Sequence, residues 1–91
     1  IAVALMCCNN TPDLEAYTGD SFRDLTRIAR INDEMWSELF LDNRPALLGE
    51  MDRFRDSFNQ LYDRIAAGDR EGIREMMRLS TQRRKRFDKQ V

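Results

Sequence analysis

Apolar positions in the second half of the chain recur in alternating steps of four and three: Leu47, Met51, Phe54, Phe58, Leu61 and Ile65. That spacing keeps them on one side of an α-helix, in a heptad-type seam. Leu48 and Tyr62 widen the stripe, so this helix is expected to pack against more than one neighbour. Asn43 is the expected cap, with Arg44 and Pro45 in the first turn, and Gly68 ends the helix just past Ala67. Asp69 is a ready N-cap for a last helix, whose apolar face is Ile73, Met76, Met77, Leu79 and Phe87. So short a link predicts an antiparallel helical hairpin. The apolar pattern weakens after Ser80, where the helix is expected to fray or to be completed by another chain.

The first half breaks into shorter segments. An apolar run, Ile1 to Cys8, is closed by Asn9 and Asn10. Thr11 and Pro12 suit the N-cap and first position of a short helix with Leu14 and Tyr17 facing inward, and Gly19 stops it. Ser21 is the expected N-cap of the next helix, where Phe22, Leu25, Ile28 and Ala29 form one stripe ending near Arg30. Asn32, with Asp33 and Glu34, starts a further short helix through about Leu41, its apolar face made of Met35, Trp36, Leu39 and Phe40. The predicted class is all-α, with about six helical segments in one domain over residues 1–91.

Composition fits that class and excludes others. The 91 residues are 42% hydrophobic and 34% charged, with a net charge of −1, which describes a folded helical chain and not a disordered one. The longest apolar run is far short of the ~20 residues that cross a bilayer, and it lacks a basic leader, so no membrane partner is expected and the cytoplasm is the expected location. Cys7 and Cys8 are adjacent with no further cysteine to pair with, which implies free thiols in a reducing compartment. Charge is uneven: +5 from Arg74 onward, including Arg83-Arg84-Lys85-Arg86, against −6 before it. With no interleaved aromatic platform, this basic end does not read as a nucleic-acid site; it suits association with acidic portions of the same or another chain.

The chemistry available is limited. There is no histidine, no paired-carboxylate constellation and no glycine-rich phosphate loop after a strand, so neither a complete enzyme nor a metal or nucleotide site is expected. The segment with the most chemical promise is Ser21–Trp36. Asp24 and Arg27 are three apart on the expected helix, where a carboxylate can fix a guanidinium's fork toward an anionic ligand. The same pair also fits an ordinary solvated ion pair. Trp36 fits either a core anchor or the wall of a pocket.

Phe22, Arg23, Asp24, Thr26, Arg27, Ile28 and Ala29, followed by Met35 and Trp36, resemble the prephenate dehydrogenase family, whose C-terminal helical domain begins with a Gly-Gly-Phe-Arg-Asp-x-Thr-Arg-Ile-Ala run. This chain differs at Gly19-Asp20-Ser21, where the family tends to have glycines. The resemblance implies a helical dimerisation domain like the C-terminal domain of 6-phosphogluconate-dehydrogenase-type enzymes, here a fragment without its upstream Rossmann domain. It implies oxidative decarboxylation of prephenate to 4-hydroxyphenylpyruvate, for tyrosine biosynthesis, with NAD or NADP bound outside this fragment. No catalytic residue lies here, and the fragment alone is expected to be inactive. Arg27 is implied to bind a prephenate carboxylate, with Arg23, Asp24 and Trp36 supporting or gating the pocket, in a homodimer. The competing expectation is a non-enzymatic helical oligomerisation module in which Asp24 and Arg27 are structural.

Overall fold

The computed structural model describes residues 1–8, 15 and 19–88, and every regular element among them is helical, as the sequence pattern predicts. They fall into two compact units, Ile1–Asn43 and Arg44–Val91. The expected short helix starting at Thr11, with Leu14 and Tyr17, lies outside the described residues, as do Asn9 and Asn10.

In the first unit, α1 is Ala2–Cys7, α2 is Asp20–Leu25 and α3 is Asp33–Asp42, with a 3₁₀ turn at Arg27–Ala29 between the last two. Both α1 and α2 pack against that turn. Ala2 is buried at 6% exposure, and no larger apolar side chain among the described residues is. Cys7 and Cys8 are free and exposed.

Three expectations for α2 are corrected. The helix begins one residue before Ser21, with Gly19 at the N-cap position and no side-chain cap. It stops at Leu25 instead of running to Arg30, because Thr26 leaves helical geometry (φ −102°, ψ 4°). The Thr26 hydroxyl donates to the Phe22 carbonyl at 2.8 Å, a local bond of the kind that competes with helix continuation. The Ala29 N–H then bonds the Thr26 carbonyl at 2.9 Å and closes the 3₁₀ turn. The stripe is broken accordingly: Phe22 and Ala29 are half-buried, but Leu25 and Ile28 are each 67% exposed. By contrast, α3 starts where its signals place it, with Asn32 accepting from the Met35 N–H at 3.1 Å. Asn43 closes it, its N–H bonding the Leu39 carbonyl at 3.2 Å.

The second unit is the predicted hairpin: α4 (Arg44–Ala66) packs against α5 (Arg70–Arg84), which continues into a 3₁₀ turn at Lys85–Phe87. Gly68 adopts φ +66°, a left-handed conformation that an L side chain disfavours. Around it the Gly68 N–H bonds the Ile65 carbonyl at 3.0 Å and the Asp69 N–H bonds the Arg64 carbonyl at 2.9 Å, a Schellman closure. Asp69 then caps α5, its carboxylate accepting from the Gly72 N–H at 2.9 Å. Arg64 donates to the Gly72 carbonyl at 2.8 Å, tying the end of one helix to the first turn of the next.

Little of the apolar seam on α4 is covered. Leu47 and Leu61 are half-buried, while Leu48, Met51, Phe54, Phe58, Tyr62 and Ile65 are all exposed, Phe58 at 58%. The surface is laced with short-range ion pairs instead: Arg53 with Glu50, Arg55 with Asp52, and Glu71 with both Arg74 and Arg78. Pairs this exposed contribute little to stability.

Candidate functional site

The 3₁₀ turn lies on one wall of a cleft of about 570 Å³ in the first unit. That volume is in the range of small-molecule sites, ~300–1,000 Å³. Arg27, Ile28, Arg30, Ile31 and Asn32 line it from the turn and the segment that follows, Trp36 and Phe40 from α3, and Ile1, Ala2 and Val3 from the start of the chain. Trp36 and Phe40 are one helical turn apart, their rings tilted at 55° with centroids 5.9 Å apart. Trp36 is 39% exposed, so it is a wall of the cleft and not a sealed core anchor.

The side chains lining this cleft divide into two kinds. One part is apolar and aromatic; the other is two arginines and an asparagine. No carboxylate lines it, and neither Arg27 nor Arg30 makes an ion pair among the described residues. Asn32 already accepts the Met35 N–H on its carboxamide oxygen, and its amide hydrogens are donors a ligand can use. Such a lining suits a compact ring carrying negative charge.

Of the residues singled out from the sequence, Arg27 and Trp36 line this cleft together, and Arg23 and Asp24 do not. Asp24 does not pair with Arg27: the helix break at Thr26 removes the i,i+3 helical geometry that the pairing required. Arg23 instead stands 3.9 Å from Asp20, both of them highly exposed. Arg30 and Phe40 were not singled out from the sequence. Their signal is spacing, since Arg30 follows Arg27 by three and Phe40 follows Trp36 by four.

A second cleft, of about 630 Å³, lies on the hairpin. Its lining mixes Arg64 and Arg83 with Glu75, and Arg64 is already committed to the Gly72 carbonyl. It therefore lacks the one-signed character of the first. Among the described residues no group of three or more His, Cys, Asp or Glu could hold a metal ion, and no helix is long and apolar enough to cross a membrane.

Residues 1–79 match the family model described as "Prephenate dehydrogenase, dimerization domain". The chain is also 35% identical over 68 residues to a cyclohexadienyl dehydrogenase of Zymomonas mobilis, an alignment covering 75% of this chain and 23% of that protein. The matched part is thus about a quarter of the relative's length. No solved structure matches the chain. The cleft residues and the hairpin turn all lie inside the family match, and Arg83–Arg86 lies beyond it.

Proposed function

The chain belongs to the prephenate dehydrogenase dimerization-domain family, and from that premise we propose that it is the helical substrate-binding and dimer-forming part of a larger dehydrogenase. The reaction is the NAD- or NADP-dependent oxidative decarboxylation of prephenate to 4-hydroxyphenylpyruvate, on the route to tyrosine. A nicotinamide cofactor, bound elsewhere in the enzyme, would supply the hydride acceptor. The 91 residues do not fit it, having no glycine loop for its phosphates and no histidine to accept a hydrogen bond from the substrate hydroxyl. Those groups belong to the rest of the enzyme, and the chain by itself is inactive.

The contribution of this chain is to bind and orient. Prephenate is a ring with two carboxylates. Arg27 receives one of them, Trp36 and Phe40 flank the ring, and Arg23 and Asp24 act nearer the mouth of the site. The observation that carries this reading is the meeting of Arg27 and Trp36 in one cleft whose lining holds no carboxylate. The exposed apolar face of α4 is proposed as the surface on which two copies join, in keeping with the family's description.

In the full-length enzyme, Arg27→Ala should raise KM for prephenate about 10- to 100-fold, the loss of a charge-assisted bond of about 1.5–3 kcal/mol. KM for the nicotinamide cofactor should stay within about twofold. Steady-state kinetics with each substrate varied in turn measures both, and an unchanged prephenate KM removes Arg27 from the site.

A further inference from the structure

We propose that Arg30 is a second anion receptor in the Arg27 cleft, so that the cleft recognises both carboxylates of its ligand and not one. The inference rests on the reading of Arg27 as the first receptor. Its basis is the local backbone. In a 3₁₀ turn, side chains three residues apart eclipse one another, unlike the staggered rows of an α-helix. The turn Arg27–Ala29, with Arg30 as the residue that closes it, therefore starts two arginine side chains from one side, and both residues line the cleft.

The electrostatics point the same way. Two like charges on one small cleft repel unless anions sit between them. Among the described residues no Asp or Glu pairs with either arginine to relieve that repulsion. The acidic residues nearest in sequence, Asp24 in α2 and Asp33 and Glu34 in the first turn of α3, do not line the cleft. Asn32 adds an amide NH2 donor, while its oxygen already accepts the Met35 N–H in capping α3. The lining residues thus include three with side-chain N–H donors and none with a carboxylate, around an aromatic and aliphatic floor. The ligand class that satisfies them is a compact ring bearing two separated anionic groups.

The test uses the full-length enzyme and two competitive inhibitors that each carry one of the two carboxylates: 4-hydroxybenzoate, with a ring carboxylate, and 4-hydroxyphenylpyruvate, with a side-chain carboxylate. Arg27→Gln and Arg30→Gln are each expected to raise KM for prephenate about tenfold, as loss of one charge-assisted contact does. Each variant should weaken one inhibitor and spare the other, with the two variants choosing opposite inhibitors. Arg30→Lys should recover part of the loss. Arg30→Gln overturns the proposal if it weakens neither inhibitor, weakens both, or weakens the one that Arg27→Gln weakens. An Arg27→Gln enzyme with unchanged KM would instead remove the reading on which this one stands.

Discussion

Gly72 is the point at which three residues settle the start of α5. Its N–H satisfies the Asp69 carboxylate, its carbonyl takes the Arg64 guanidinium, and it is buried. A Cβ there would press on the Asp69 carboxylate and lie 3.2 Å from Arg64 Cδ. Two effects then oppose each other on Gly72→Ala: the gain in helix preference, up to about 1 kcal/mol, and displacement of a cap of about the same size. The contact with Arg64 tips the balance, so Gly72→Ala should destabilise the chain. With the carboxylate removed by Asp69→Ala, the same alanine should become stabilising. Urea unfolding of the two single variants and the double variant, at one chain concentration, measures this coupling. An alanine that stabilises equally in both backgrounds would mean the carboxylate moves aside freely.

At the scale of elements, the hairpin turn and the break after α2 had unequal signals. Gly68-Asp69 states its geometry in the sequence: glycine for the left-handed residue, aspartate for the cap. Gly68→Ala should therefore cost about 1 kcal/mol, since φ is +66° there, and Gly68→Asn less. Thermal melts at fixed concentration read the order. The seam on α4 and the Asn32 cap were legible for the same reason, because spacing and local capping decide them. Thr26 gave no such warning. Its hydroxyl bond to Phe22 competes with the helix only in that one geometry, and Phe22, Leu25, Ile28 and Ala29 keep helical spacing across the break. Arg27 stood out from the sequence through its motif. Arg30 did not, because a helix expected to end beside it placed it at a solvated terminus, not on the wall of a cleft.

For the whole molecule, the decisive feature is what the described residues leave uncovered. A side chain such as Phe58 is worth about 1.5–3 kcal/mol when fully withdrawn from water, and here it stays more than half exposed. Its neighbours Tyr62 and Ile65 share that state, and Phe54 is close to half exposed. Phe58→Glu should leave the helical content unchanged, because the side chain contributes little within one chain, and should shift the sedimentation-equilibrium mass from dimer toward monomer. A variant that keeps the wild-type mass would place the association surface elsewhere.

The α4 face has a consequence for how this sequence is able to change. In a pair related by a two-fold axis, a residue close to the axis meets its own duplicate, so one altered codon installs two new side chains in the same place. A charge placed there faces an identical charge, and an opposite partner requires a second change at another position. Complementary ion pairs are therefore hard to reach by single steps, whereas Met, Phe, Leu and Ile tolerate meeting themselves. The large apolar residues exposed on α4, among them Leu48, Met51, Phe54, Phe58 and Ile65, are of that self-tolerant kind.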